Sequence, residues 1–165
     1  LTGAAQVDVA VAGFDSFFAT NHAVLVRALS LALADDQLGR DAAAEGFTRA
    51  LQRWGRVSGY ANPTGWVYRV GLNWAHSRRR KTMREIAESA ATGVRETASH
   101  DDPRDPRLVP ALLQLSADHR AVVVGRYFLD WSEQEIANAL GIRPGTVKSR
   151  LSRALAKLAD DLGTA

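Results

Sequence analysis

A chain of 165 residues has room for one ordinary domain or two small ones, and its 46% apolar and 24% charged residues are the balance of a folded protein rather than a disordered one. The absence of cysteine excludes a disulfide-stapled fold, a cysteine-ligated zinc site and a thiol nucleophile. The net charge of +3 excludes little, because the charge is unevenly spread. Residues 1–68 carry a net −1, residues 69–84 a net +6, residues 85–107 a net −3 and residues 108–165 a net +1. Every charge in the second stretch is basic: Arg69, Arg78, Arg79, Arg80, Lys81 and Arg84. Such a cluster attracts polyanions by releasing their counterions, although cations at a helix end also offset the macrodipole. The sequence reads as having no apolar run near the ~20 residues of a membrane span and no basic, apolar leader, so the expected address is the cytoplasm.

In chain order, Phe14, Phe17 and Phe18 share a face of a first expected helix, and Val24, Leu25, Ala28 and Leu31 continue a second. Asp35 or Asp36 can cap a third, which runs to about Trp54 with Phe47, Leu51 and Trp54 on one stripe. Residues 56–62 read as a loop that turns at Ser58 and Gly59. Asn62 and Pro63 then form a helix start, cap followed by first helical position. That helix carries Trp66, Val70, Trp74 and the basic run, with Trp66 and Val70 expected as core. Turn signals and Pro103, Pro106 and Pro110 mark a connecting stretch with almost no apolar periodicity. Beyond it, Leu108 to Leu115 reads as a short helix, and Ser116 can cap the next, at about residues 117–129. The expected class is all-α: two small helical domains, residues 7–84 and 108–163, joined by a flexible acidic linker, residues 85–107.

The most informative segment follows. Ser132 and Glu135 have the spacing of a capping box, and Ile136, Ala137 and Leu140 give the short helix behind it an apolar face. Gly141 stands where the chain must turn, and Ile142 packs into the corner. Pro144 opens a second helix with Val147, Leu151, Ala154, Leu155 and Leu158 on one face. Thr146, Ser149 and Arg153 fall on the opposite face, flanked by Lys148 and Arg150, and Gly145 leaves room for close approach. An ordinary helix pair shares the single signals. Their conjunction is that of a helix-turn-helix reading a major groove.

Catalysis finds no support. His22, His76, His100 and His119 lack metal-ligand spacing, and no phosphate loop or nucleophile elbow is present. The chain is expected to be no enzyme and to need no cofactor or metal.

The run Trp131-Ser132-Glu133-Gln134-Glu135-Ile136-Ala137, then Gly141-Ile142 and Gly145-Thr146-Val147-Lys148-Ser149-Arg150-Leu151-Ser152-Arg153-Ala154, resembles the C-terminal promoter-reading domain of bacterial sigma factors. Arg126 to Asp130 fit the same pattern. The stretch from Asp41 through Glu45 and Phe47 to Trp54 resembles the polymerase-binding helix of that family, and Pro63 to Asn73 with the basic residues after it resembles the promoter-melting helix. With two units and a short connection, the chain is similar to the extracytoplasmic-function type. It departs from the family pattern at Arg40, Ala44, Ser77 and Arg143.

The resemblance implies a transcription initiation factor that binds core RNA polymerase and directs it to promoters. Asp41, Glu45 and Phe47 would meet the polymerase. Around the −10 element, Tyr60, Asn62, Trp66, Tyr68, Asn73, Trp74 and His76 are the groups available to stack on or hold unpaired bases, with Arg78, Arg79, Arg80 and Lys81 on phosphates. At the −35 duplex, Thr146, Ser149 and Arg153 would meet base edges, and Lys148 and Arg150 phosphates. The linker could mimic nucleic acid with its negative charge or act as a solvated tether. Members of this family are commonly held inactive by an anti-sigma protein, a further candidate partner. The alternative is a helix-turn-helix regulator that acts without joining polymerase.

Overall fold

The computed structural model describes residues 2–89 and 107–163. Among these residues the fold is all helical: α1 (Thr2–Leu33), α2 (Asp36–Gln52), α3 (Trp54–Val57), α4 (Pro63–Ser89), α5 (Leu108–Leu113), α6 (Ala117–Val123), α7 (Glu133–Leu140) and α8 (Pro144–Gly163), with a π-helical turn at Val124–Phe128 after α6. Most of the expected linker, residues 90–106, lies outside the described residues. Its first five residues are the end of α4, which runs to Ser89.

The two helices expected within residues 14–31 are one continuous helix. Thr20 and Asn21 could each have capped a new start. Instead Thr20 Oγ1 donates to the Ser16 carbonyl (2.9 Å) and Asn21 Nδ2 to the Phe17 carbonyl (2.8 Å), so α1 runs through both. It ends at Ala34, whose φ of 55° lies in the left-handed region. The Ala34 amide donates to the Leu31 carbonyl (3.3 Å) and the Asp35 amide to the Ser30 carbonyl (3.2 Å), the paired bonds of a Schellman ending. Asp35, one of the two candidate caps, is the N-cap of α2, its carboxylate accepting the Leu38 amide at 2.9 Å.

One stretch of α1 corrects the expectation about membrane spans. Residues 13–33 reach a mean hydropathy of 1.3 and are long enough to cross a bilayer. In the fold Leu25, Ala28, Leu29, Ala32 and Leu33 from that stretch are buried in the core. A core helix passes the same test of length and composition as a span.

α2 and α4 pack closely because small residues line the contact. A Cβ on Gly46 would come within 2.9 Å of the Val67 carbonyl, and one on Gly71 within 2.9 Å of the Ala42 carbonyl. The face of α4 that buries most deeply is therefore Gly65, Val67, Tyr68, Gly71, Leu72 and Ala75. Trp66 and Val70, expected as core, stand half-buried at its edge, and Asn73 is exposed. A stripe of large apolar residues marked the rim here, and small residues marked the centre.

The two halves share one apolar cluster, which runs from Phe14 through Val67 and Tyr68 to Val122, Ile136 and Leu158. α1 packs on α6, and α4 packs on α7.

Candidate nucleic-acid interface

The helix-turn-helix has the local geometry its sequence dictates. Ser132 Oγ accepts the Glu135 amide (3.2 Å), and Glu135 Oε2 accepts the Ser132 amide (2.8 Å). Those bonds from Ser132 hold the Glu135 carboxyl below its ordinary value. Gly141 ends α7 at φ 66°, a conformation that glycine adopts without a Cβ penalty. The Ile142 amide then reaches back to the Ala137 carbonyl at 3.0 Å. Arg143 offers its carbonyl to the amides of Thr146 (2.9 Å) and Val147 (3.1 Å).

On α8, Val147, Leu151, Ala154 and Leu158 are buried. Lys148, Ser149 and Arg153 are exposed, and Thr146 is half-buried beside them. Ser149 Oγ donates to the Thr146 carbonyl (3.1 Å), a bond it can exchange for a base edge without leaving a buried group unpaired. A Cβ on Gly145 would meet nothing within 4 Å, so no neighbour in the chain requires glycine there. Arg150 is different. Its guanidinium is held by Asp118 at 2.6 Å, which orients it and must be exchanged before it meets a phosphate.

The second candidate surface starts at the turn before α4. Asn62 caps that helix, its Oδ1 accepting the Gly65 amide at 2.8 Å, while its Nδ2 is buried without a partner. Tyr60 is exposed beside it. Tyr60, Asn62, Trp66 and Arg69 form one wall of a cleft of about 270 Å³, and Glu135, Asn138 and Ala139 of α7 form the other. Further along α4, the Arg78 guanidinium lies 5.4 Å over the Trp74 ring. Arg80 and Lys81 are exposed, Arg80 donating to Ser77 Oγ (3.1 Å) and Lys81 lying 3.8 Å from Glu85. Arg79 points inward, donating to the Leu33 carbonyl at 2.6 Å with Asp35 at 3.8 Å. His76 is half-buried, its Nε2 unpartnered, and burial followed by the Arg79 charge pushes its pKa down. Tyr68, one of the groups expected to be available for stacking, is fully enclosed. Burial drives its hydroxyl pKa far up.

Of the candidate polymerase contacts, Asp41 accepts Gln37 Nε2 at 2.9 Å and Glu45 pairs with Arg49 at 2.6 Å, both on the accessible side of α2. Phe47 is buried in a ring cluster with Phe17, Phe18 and His22 at centroid distances of 4.9–5.8 Å. Phe18 and Leu51 stay exposed at the edge of that cluster. Arg120 carries no signal in the chain that marks it as buried. It is buried, and donates to the carbonyls of Ala32 (2.9 Å), Leu113 (3.4 Å) and Leu115 (3.0 Å).

Comparison with known proteins agrees with this geometry. The family model for sigma-70 region 4 matches residues 107–158, which hold α5 to α7 and most of α8. The chain is 34% identical to the ECF RNA polymerase sigma factor SigL of Mycobacterium tuberculosis, over 96% of this chain and 92% of that one. It is 30% identical to the RNA polymerase sigma-E factor of Streptomyces avermitilis, over 90% of this chain and 84% of that one. Among solved structures, the sigma factor RpoE in complex with the anti-sigma factor NepR from Bartonella quintana shares the fold, with a TM-score of 0.81 at 22% identity over 92% of this chain and 97% of that one.

Proposed function

The chain belongs to the extracytoplasmic-function RNA polymerase sigma factors, and from that premise we propose which of its surfaces does which part of promoter recognition. As a sigma factor it binds core RNA polymerase and directs transcription initiation at promoters. The division of labour is our reading. The unit of α1 to α4 meets polymerase through Asp41, Glu45 and the aromatic edge beside them, and handles the −10 element through residues 60–81. The unit of α5 to α8 reads the −35 duplex.

The observation that carries the −35 assignment is the open face of α8. Thr146, Ser149 and Arg153 project from it, while the opposite face is locked into the core by Val147, Leu151 and Ala154. Short hydroxyls and an arginine fork suit base edges in a major groove. Lys148 and an Asp118-oriented Arg150 suit the phosphates on either side. At the −10 element, unpaired bases need a polar pocket and stacking surfaces with cations along the backbone. Tyr60 and Asn62 supply the pocket, Trp74 with Arg78 a stacking platform, and Arg80 and Lys81 cations. The exposed Asn73 and the half-buried His76 border that path, and Arg79 joins it only by releasing Leu33.

This work uses binding energy alone, and we assign the chain no catalytic chemistry and a cytoplasmic place beside polymerase. The solved relative is held by an anti-sigma factor, and we extend that class of partner to this chain. The test is run-off transcription from a pool of promoters by core polymerase with wild-type or variant chain. Arg153→Ala should lose discrimination at one base pair of the −35 element, by about 1–3 kcal/mol. Lys148→Ala should weaken all promoters alike. Unchanged discrimination in Arg153→Ala defeats the −35 assignment.

A further inference from the structure

Arg150 of the reading helix is parked inside its own unit. Its Nη2 donates to Asp118 Oδ2 at 2.6 Å, across 32 residues of sequence, which ties α8 to α6. That distance is at the short end of charge-assisted bonds. The two partners are not held alike. The Arg150 side chain is 25% exposed, so packing already fixes its stem, whereas the Asp118 side chain is 62% exposed. Asp118 stands in the first turn of α6, where a carboxylate ordinarily offsets the positive end of the helix. The helix does not depend on it for a cap, because Ser116 Oγ accepts the His119 amide at 3.3 Å.

Resting on the −35 assignment above, we propose that Asp118 is a built-in competitor for DNA: its carboxylate takes the place on Arg150 that a backbone phosphate takes in the promoter complex, and so sets how tightly α8 grips any duplex. Carboxylate and phosphate oxygens accept the same guanidinium fork. Arg150 can meet a phosphate only by releasing Asp118, which gives up the ion pair, or by holding both anions on one guanidinium, which sets two negative charges within a few ångströms of each other. Both routes weaken DNA binding. Orientation by Asp118 does not offset the loss, because packing already holds the Arg150 stem. An ion pair with one partner largely in solvent is a weak competitor, so the effect on affinity is about two- to fivefold. Phosphates carry no sequence information, so the loss falls on every duplex alike. The ranking of promoters stays with Thr146, Ser149 and Arg153, and Asp118 limits what charge alone can hold.

The test uses holoenzyme, the full chain with core polymerase, and fluorescence anisotropy of two labelled duplexes: one with the −35 element of a promoter that the holoenzyme transcribes, one unrelated. The measurement is made at about pH 8. There His76, which also feels the Asp118 charge, is neutral, because burial followed by Arg79 holds its pKa down. Asp118→Asn keeps the size of the side chain and should bind both duplexes about two- to fivefold more tightly than wild type. Its plot of log affinity against log salt should steepen by about 0.9, as one more cation is free for a phosphate. Asp118→Glu keeps the charge and should stay near wild type. In an Arg150→Ala background the gain from Asp118→Asn should largely vanish, which a merely structural role for Asp118 would not produce. Asp118→Asn that binds no more tightly than wild type overturns the proposal, as does a gain of the same size in the Arg150→Ala background. If Arg150→Ala alone binds like wild type, the phosphate assignment of Arg150 falls and the competition with it. If Arg150→Ala weakens binding and Asp118→Asn gains nothing, the competition alone falls.

Discussion

Two arginines close the C-terminal end of α1. The last carbonyls of a helix have no partner within it, and here Arg79 takes that of Leu33 and Arg120 that of Ala32. One cation of the basic run is thus committed to structure. Both guanidiniums lower the pKa of the nearby His76, with burial the larger cause and Asp118 opposing. The consequence for stability has a definite sign. A histidine whose folded pKa lies below its unfolded value near 6.5 binds fewer protons when folded. The fold should therefore lose stability as pH falls below about 6.5 and keep it above. His76→Gln should flatten that part of the pH dependence of the melting temperature. An unchanged slope between about pH 7.5 and 5.5 would show that His76 is not the group responsible. Little of this layer could be read beforehand. Arginine is mostly a surface residue, so nothing marks Arg120 as buried. Tyr68 looks like any aromatic in a nucleic-acid helix until a second unit is packed on it.

At the scale of elements, legibility follows locality. The α7–turn–α8 unit obeys rules that act within a few residues: a capping box, a left-handed glycine and proline at the first helical position. Each is visible in the chain, and each stands as expected. The start of α4 at Asn62 and Pro63 is equally local. The continuity of α1 was hidden because Thr20 and Asn21 suit both a cap and a back-bonded interior position, and only packing chooses. The π-helical turn is another such feature. It delivers the Leu129 amide to the Val124 carbonyl (3.0 Å) and ends before Asp130, whose φ is 56°. The end of α1 yields a prediction. Ala34 holds a left-handed conformation in a Schellman ending where glycine is the favoured residue. Ala34→Gly should raise stability by about 1 kcal/mol, the cost of a Cβ in that region, provided the fold keeps φ there. Urea unfolding that shows a loss would contradict the left-handed ending.

For the whole molecule, the net charge of +3 conceals a +6 stretch of α4, of whose cations Arg69, Arg78, Arg80, Lys81 and Arg84 are exposed. The sequence is read as two small helical units, each proposed to handle DNA. The structure adds that they share one core and that the turn before α4 and α7 line one cleft. Such long-range contacts depend on which residues meet, small Gly65 with Ala139 and Gly141 with the Arg69 guanidinium. No periodicity along the chain encodes those pairings. The most direct measurement is run-off transcription by core RNA polymerase on a promoter pool, with and without this chain. New transcripts are expected from a subset of promoters sharing a −35 and −10 pair. The same transcripts from core polymerase with the folded chain as without it would show that the chain does not direct initiation.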